Sequence, residues 1–285
     1  MSLRRIVAVG LSAAIAASGL VACAPPQDDA IKIGTTDGTK KAWQVFEDKA
    51  KQEGIKLDVV QFGDYNTPNR ALSEGEIDVN QFQHLKFLAE YNNGAHDSIT
   101  PVGSTEVIPL ALFWKNHKDL SGIEGLEVAI PNDPTNQGRA LNVLKAAGLV
   151  KLKKDDLVTP TPADVEQGAS KVKITPVDAA QTAVVYGEGR PAVINNSFLD
   201  RAGIDAKSSI YADDPKSKDA EPYINVFATT EKNKDNPDIQ KLVKIWQSPE
   251  VEKAVAEDSE GTSVPVYRDP AELRDILKRL QDSAK

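Results

Sequence analysis

Apolar and polar positions alternate along this chain with two periods, one typical of strands and the other of helices. Short apolar runs at 57–62, 126–130 and 192–194 predict buried strands. Between such runs, apolar residues recur at i, i+3, i+4 and i+7, as they do after Pro134, and this spacing predicts helices. The alternation of the two element types predicts an α/β fold with mostly parallel sheets flanked by helices.

Two strongly apolar runs, at 107–114 and 223–228, bracket a block of the chain that has its own predicted strands and helices. We therefore predict two lobes and two hinge crossings between them. The predicted lobe 1 consists of residues 31–110 and 225–285, and the predicted lobe 2 of residues 111–224. In open α/β folds, ligands bind in the crevice outside the carboxyl ends of the strands.

The N-terminal segment predicts export and attachment to a membrane. Arg4 and Arg5 precede an uncharged run at 6–22, which is short and rich in small residues, as in a secretory signal peptide. The run ends in Leu-Val-Ala-Cys at Cys23, the only cysteine, and this pattern is typical of a bacterial lipoprotein signal. Residues 1–22 would be removed, and 23–30 would be the lipidated cysteine and its tether. An ordinary signal peptide followed by an incidental cysteine is the alternative.

The charge of the chain argues against nucleic acid as a partner. The full sequence has 34 basic and 42 acidic residues, and its formal net charge is −8. Loss of the signal peptide removes two arginines, which gives 32 − 42 = −10 for the exported part. An acidic protein of this kind has no electrostatic attraction for phosphate backbones.

The stretch 129–139 combines a strand end, a tight turn and a helix start. Asp133 is a favourable N-cap and Pro134 fits the first helical position. Asn136 and Arg139 lie three residues apart and therefore share one face of the helix. Free N–H groups, an amide and a guanidinium together suit a carboxylate or a phosphate. A surface helix with a solvated arginine is the alternative interpretation.

A series of motifs over the whole exported chain resembles the methionine-binding lipoprotein family of ABC importers. The most specific are Phe-Gln-His at 82–84 and Pro-Asn-Asp-Pro-Thr-Asn-Gln-Gly-Arg at 131–139. Gly-Asp-Tyr at 63–65 precedes these two motifs, and Ala-Val-Ile-Asn at 192–195 and Tyr-Ile-Asn at 223–225 follow them. The order of the five motifs along the chain is that of the family. The resemblance implies a two-lobed periplasmic-binding-protein-like fold of type II. It also implies an anchored, extracytoplasmic protein that hands L-methionine or D-methionine to an importer permease.

The resemblance also implies roles for particular residues. Tyr65, Phe82 and His84 would surround the ligand side chain, and aromatic faces suit a soft thioether. In an extended strand Phe82 and His84 point to one face, with Gln81 and Gln83 opposite. The α-carboxylate would be held by Arg139, with two amide partners. The full set of predicted ligand-binding residues is Tyr65, Phe82, His84, Asn136, Arg139 and Asn195, with Phe87 and Asn225 as further candidates.

Some residues depart from the family pattern. The segment 34–41 follows the first strand where many relatives carry a Gly-Pro turn. Phe87 and Phe198 stand where relatives often have tyrosine. These departures bear on the identity of the ligand, which is another apolar amino acid or a short peptide in the alternative interpretation.

Two rival functions are an enzyme on the same fold and a surface lipoprotein without a role in transport. Neither a Gly-x-Ser-x-Gly motif nor a free catalytic cysteine is present. The three histidines are too scattered for an obvious zinc site, so we predict neither metal nor cofactor. Acidic pairs such as Asp213 and Asp214 lie in polar loops and are expected to be solvated. We therefore predict a binding protein and not an enzyme.

Overall fold

The computed structural model describes residues 30–155, 157 and 159–283. The predicted signal peptide at 1–22 and the lipidation site Cys23 lie outside the described residues. The strands of the described chain are β1 (Ile31–Thr35), β2 (Leu57–Gln61), β3 (Val79–His84), β4 (Thr100–Ser104), β5 (Glu106–Val107), β6 (Ala111–Phe113), β7 (Glu127–Pro131), β8 (Lys173–Val177), β9 (Ala192–Ile194), β10 (Tyr211–Ala212), β11 (Asn225–Thr229) and β12 (Val264–Pro265). Its α-helices are α1 (Lys41–Gln52), α2 (Pro68–Ser73), α3 (Leu85–Ala95), α4 (Pro134–Ala146), α5 (Ala179–Gly187), α6 (Pro237–Trp246), α7 (Pro249–Asp258) and α8 (Pro270–Ser283).

Two five-stranded sheets form the framework of the molecule. The first has the strand order β2-β1-β3-β11-β4, and the second has the order β10-β6-β9-β7-β8. We call the first sheet with its packed helices lobe 1 and the second sheet with its packed helices lobe 2. The chain passes from lobe 1 to lobe 2 between β4 and β6, and it returns between β10 and β11. The predicted boundaries at 110/111 and 224/225 stay a prediction.

The sheets are mixed, so the prediction of mostly parallel strands is wrong in this respect. In the first sheet β1 pairs in parallel with β2 and β3, whereas β11 is antiparallel to β3 and β4. In the second sheet β7 is parallel to β8 and β9, whereas β6 is antiparallel to β9 and β10. The strands β6 and β11 each follow a crossing between lobes, and neither is reached through the strand–helix–strand connection that parallel pairing requires.

Both faces of each sheet are covered by other parts of the chain. Alternate residues of a strand therefore belong to different hydrophobic clusters. In β7, Val128 and Ile130 pack against Leu141 of α4. Ala129, between them, belongs to the core under α5. This alternation follows from the two-residue period of a strand. The packing of α4 on β7 also fixes the position of the helix start that follows the strand.

The first crossing is interrupted at Pro109, so the apolar run 107–114 forms two short strands and not one. Proline has no N–H to donate to a ladder, and β5 ends before it while β6 begins after it. β5 pairs with β12 from the C-terminal part of the chain, with Val264 opposite Val107. The C-terminal segment therefore holds the first crossing in place.

Candidate functional site

A cavity lies between the two lobes, near the carboxyl ends of β3, β7 and β9. All eight side chains that the sequence singled out as ligand candidates border it, although their role in binding stays a prediction. The cavity is lined by Asp37, Tyr65, Gln81, Phe82, Gln83, His84, Phe87, Glu106, Ile108, Pro109, Leu110, Asn136, Arg139, Asn195, Asn196, Ser197 and Asn225.

Three aromatic rings of lobe 1 form one wall of the cavity. The ring centroid of Tyr65 lies 6.1 Å from those of both Phe82 and Phe87, and these two are 5.9 Å apart. Phe198 from lobe 2 packs on Tyr65 at 5.0 Å. Such tilted and edge-to-face contacts are the favoured geometries of aromatic pairs. Burial raises the pKa of the Tyr65 hydroxyl, so this group is a neutral hydrogen-bond donor.

A β-bulge in β3 changes the expected alternation of side chains. In the pairing with β11, Val226 lies opposite Gln83 and the next residue, Phe227, lies opposite Gln81. Phe82 has no opposite residue, so it is the extra residue of a bulge, a feature that redirects side chains. Four successive residues, 81–84, therefore border the cavity. The prediction that Gln81 and Gln83 point away from the site was wrong, because it assumed a regular strand.

His84 is a neutral imidazole with a fixed tautomer. It caps α3, and its Nδ1 accepts a hydrogen bond from the Phe87 amide at 3.0 Å. The proton therefore lies on Nε2, which faces Asn136 Oδ1 at 3.4 Å. Burial, together with the positive charge of Arg139, lowers the pKa of His84 to about 3. His84 therefore has a structural position as well as a place at the cavity, because the ring caps α3 on one side and borders the cavity on the other.

Asn136 connects the two lobes through its amide group. Its Nδ2 donates to both carboxylate oxygens of Asp133, each at 3.1 Å, and this pairing fixes which way the amide points. Its Oδ1 accepts from Asn195 Nδ2 at 2.9 Å and also faces His84. Asp133 in turn caps α4 by accepting from the Asn136 amide at 2.9 Å, as the sequence predicts. The start of α4 is therefore part of a network of hydrogen bonds that reaches the cavity.

Arg139 is not a solvated surface residue, and its side chain is only 6% exposed. Its Nε and Nη2 form a bidentate pair with Asp213, at 2.6 and 3.1 Å. The expectation that Asp213 is solvated was therefore wrong. Sequence reasoning missed this pair because the two residues are 74 positions apart. Since Asp213 engages Nε and Nη2, Nη1 is the guanidinium nitrogen outside this pair.

Arg139 also touches both crossings between the lobes. Its Nη2 donates to the carbonyl oxygen of Ile108 in the first crossing, at 2.9 Å. The guanidinium lies over the Tyr223 ring, 4.1 Å from its centroid, and Tyr223 precedes β11 in the second crossing. Asn225, two residues further on, donates to the carbonyl oxygen of Glu106 at 3.1 Å. This hydrogen bond links the two crossings, and the Asn225 side chain also borders the cavity.

Sequence reasoning missed Glu106 and Gln81, which also border the cavity. Glu106 is 5% exposed, and burial raises its pKa to about 7. A signal for it exists in the sequence, because Glu106 is the only charged residue between 99 and 114. Gln81 Oε1 and Asn195 Oδ1 are buried, and neither has a hydrogen-bond partner among the described residues. Such oxygens suit a ligand that brings N–H donors.

A second set of contacts joins the lobes between the segments that follow β1 and β2 in lobe 1 and the segment that follows β9 in lobe 2. Arg201 of lobe 2 donates through Nη2 to the carbonyl oxygen of Thr36 at 3.1 Å and through Nη1 to that of Gly63 at 3.5 Å, both in lobe 1. Its guanidinium also lies over the Phe198 ring at 4.9 Å. Ser197 Oγ donates to Asp37 Oδ2 at 3.0 Å across the same gap. We call Arg201, Ser197 and their lobe 1 partners the closing contacts.

The low pKa of His84 predicts an acid sensitivity of folding. In the unfolded chain the imidazole binds a proton below about pH 6.5, whereas in the folded protein it stays neutral down to about pH 3. This difference stabilises the unfolded state as the pH falls through that window. Relative to His84→Gln, the wild type should lose about 2 kcal/mol of unfolding free energy between pH 6.5 and 5. Urea unfolding at both pH values measures this difference.

The exposed His117 provides the matched control, because the same substitution there should leave the pH dependence of the wild type in place. If His84→Gln and wild type lose stability in parallel, the imidazole does not stay neutral in the fold.

Comparison with known proteins agrees with the resemblance. The D-methionine-binding lipoprotein MetQ of Escherichia coli strain K12 is 36% identical over 269 residues, which cover 92% of this chain and 97% of that protein. The crystal structure of protein PG110 from Staphylococcus aureus has a TM-score of 0.82 and 38% identity, covering 88% of this chain and 99% of that one. A nutrient binding protein from Burkholderia cenocepacia bound to methionine has a TM-score of 0.76 and 34% identity, with coverage of 84% and 100%.

These similarities confirm the predicted fold class, a two-lobed α/β fold of the periplasmic-binding-protein kind. The model of the NlpA lipoprotein family matches residues 31–267, which include every element that borders the cavity. By this match and by its relatives, the chain belongs to the NlpA lipoprotein family.

Proposed function

We propose that this chain is an extracytoplasmic solute-binding lipoprotein that captures methionine and delivers it to the permease of an ABC importer. The observation that carries the proposal is a single cavity with an aromatic wall at one side and the Arg139 guanidinium at another. Relatives that cover nearly the whole chain are named for methionine binding, and one structural neighbour was solved with methionine bound. L-methionine and D-methionine are both candidates, because the described contacts do not select between them.

The arrangement of the cavity suggests how methionine is held. Nη1 of Arg139, which lies outside the Asp213 pair, is the donor that we assign to the α-carboxylate. A charged hydrogen bond of this kind contributes about 1.5–3 kcal/mol. The rings of Tyr65, Phe82 and Phe87 are assigned to the thioether, since sulfur makes favourable contacts with aromatic rings. Asn136 and Asn195 complete the polar surroundings of the head group.

The proposed site of action is the outer face of the membrane. The lipoprotein signal that ends at Cys23 supports attachment through a lipid, and relatives that cover most of the chain bear the name lipoprotein. Among the residues that the structure describes, no helix has the length and apolar character that crossing a membrane requires. The anchor that we propose is therefore the lipid on Cys23, with residues 24–30 as the tether.

We propose a binding role and not a catalytic one. Two groups that could act in catalysis are engaged in holding the fold, since His84 caps a helix and Arg139 is paired with Asp213. Another apolar amino acid or a short peptide is the alternative ligand. Mass spectrometry of the small molecules released from gently purified protein tests the proposal. Methionine should be found, and a preparation that neither carries nor binds any amino acid would favour a surface lipoprotein without a role in transport.

Removal of the Arg139 guanidinium should weaken methionine binding sharply. Arg139→Ala leaves both the ligand carboxylate and Asp213 without their charged partner. We expect a loss of about 2–4 kcal/mol, or roughly 30- to 1,000-fold in affinity. Calorimetry with L-methionine measures the loss. The double variant with Asp213→Ala should recover part of it, because the repelling carboxylate is then absent.

Arg190 serves as the control for Arg139, because it pairs with Glu127 and Glu188 on the exposed side of lobe 2. Arg190→Ala should bind methionine as the wild type does. Methionine methyl ester, which lacks the carboxylate charge, should bind the wild type poorly and distinguish little between wild type and Arg139→Ala. An unchanged affinity of Arg139→Ala for methionine would refute the assigned head-group site.

Ligand binding should close the two lobes, and the closing contacts should hold them closed. Solution scattering should give a smaller radius of gyration with methionine than without it. Arg201→Ala removes the donors to Thr36 and Gly63, so the ligand-bound radius should increase and the dissociation rate should rise. Arg268→Ala, which removes an exposed pair with Glu272, is the control. Equal radii with and without methionine, after removal of any copurified ligand, would argue against closure.

Cys23 should carry the membrane anchor. In cells labelled with a fatty acid, the wild-type protein should become labelled and remain with the membrane fraction. Cys23→Ser removes the sulfur to which the lipid is attached, so label and membrane association should both be lost. A Cys23→Ser protein that retains the label would contradict the lipoprotein assignment.

A further inference from the structure

The cavity has donors and acceptors on different sides. Arg139, from lobe 2, provides the positive charge. Glu106 and Gln81 provide oxygen acceptors from the side of β5 and β3. Glu106 and Gln81 are neighbours. Gln81 Nε2 donates to Oγ1 of Thr105, the residue before Glu106, at 3.5 Å. The side chains of Gln81 and Glu106 also border the same smaller recess next to the cavity. This separation of charge matches a ligand with a negative and a positive end.

Glu106 is a buried acid without an ion-pair partner among the described residues. Its Oε2 accepts a long hydrogen bond from Trp246 Nε1, at 3.5 Å, and the Thr105 hydroxyl is the other neutral donor beside the carboxyl. The nearest basic group on the β1–α1 connection, Lys40, is engaged with Asp37 at 2.9 Å and with Asn196 at 2.7 Å. A charged carboxylate in such surroundings is unfavourable until a cation arrives. Burial, with a further contribution from Asp37, accordingly raises the pKa of Glu106 to about 7.

Gln81 gives an independent indication of a missing donor. The residue is 4% exposed, and its Oε1 has no hydrogen-bond partner among the described residues. Buried carbonyl oxygens in folded proteins are nearly always paired. Asn195 Oδ1 is a second unpaired buried oxygen at the same cavity, from lobe 2. A primary ammonium has three N–H donors and can pair with a carboxylate and an amide oxygen together.

We propose that Glu106 and Gln81 hold the ammonium group of the ligand, so that the site selects a free amino group and takes it up with release of a proton. This inference rests on the proposed function. In the binding step, the protonated Glu106 carboxyl gives its proton to the buffer, and the resulting carboxylate pairs with the ammonium, which keeps its own protons. No covalent bond to the ligand forms or breaks.

Other charged groups surround Glu106, and the pH dependence has to be assigned against them. Asp37 and Lys40 face it from the β1–α1 connection, and their mutual ion pair leaves little net charge there. Asp258 and Glu252 of α7 border the adjoining recesses. Across the cavity, His84 stays neutral above about pH 3. Glu106 is thus the group on the cavity wall whose protonation changes near neutral pH.

Calorimetry of L-methionine binding in two buffers of different ionisation enthalpy tests the proposal, because it counts the protons released. At pH 6 the wild type should release about one proton per ligand, and at pH 8 close to none. The affinity should fall up to about tenfold per pH unit below pH 7. Glu106→Gln preserves the shape of the side chain. It should release no proton and should bind methionine at pH 8 about tenfold or more weakly than the wild type.

Two comparisons separate the outcomes. N-acetyl-L-methionine, which lacks the ammonium, should bind the wild type at least about tenfold more weakly than methionine and should not distinguish wild type from Glu106→Gln. Glu47 on α1 is the control, because burial also raises its pKa but it lies away from the cavity. Glu47→Gln should release protons on methionine binding as the wild type does. If the wild type binds no methionine, the proposed function fails. If it binds methionine but releases no proton at pH 6, or if Glu106→Gln behaves as the wild type does, this inference is overturned.

Discussion

The buried pair of Arg139 and Asp213 is the contact on which the geometry of the site depends. One guanidinium meets Asp213 and Tyr223 from the second crossing and the carbonyl of Ile108 from the first, while its own backbone belongs to α4. A buried charge without a partner is costly, so each of these groups constrains the others. The helix that begins at the cavity is therefore tied directly to both connections about which the lobes would move. Changes in the position of α4 and changes in the hinge cannot be independent of each other.

The polar groups of the cavity have fixed orientations before any ligand is considered. Asp133 sets the amide of Asn136, and the Phe87 amide sets the tautomer of His84. Preorganised groups of this kind lose little conformational freedom on binding, and the affinity gains accordingly. The unpaired oxygens of Gln81 and Asn195 are the exception, since they are fixed but lack donors among the described residues. Most polar groups of the site are thus hydrogen-bonded within the protein, and a small number of acceptor oxygens are left for a ligand.

Local signals in the sequence predicted the parts of the site that depend on neighbouring residues. The cap at Asp133, the helix start at Pro134 and the positions of Asn136 and Arg139 on it all follow from spacing within a few residues. The partner of Arg139 could not be predicted in this way, because Asp213 comes near it only through the pairing of β6 with β10. The bulge at Phe82 is likewise a property of pairing with β11, so the alternation in the sequence misplaced Gln81. The antiparallel pairings of β6 and β11 were not predicted for the same reason. The direction of these strands depends on the route of the chain between the lobes, which local sequence does not show.

The closing contacts of Arg201 have a consequence for how this surface tolerates sequence change. Both acceptors of this arginine in lobe 1 are backbone carbonyl oxygens, those of Thr36 and Gly63. A backbone carbonyl is supplied by any amino acid that keeps the local path of the chain. A side chain at position 63 would therefore leave this acceptor in place, whereas Thr36 is buried and its Oγ1 donates to Ser197 Oγ of lobe 2 at 3.3 Å. The connection after β1 is therefore constrained more tightly than the turn at 63, because Thr36, Asp37 and Lys40 all reach lobe 2 through their side chains.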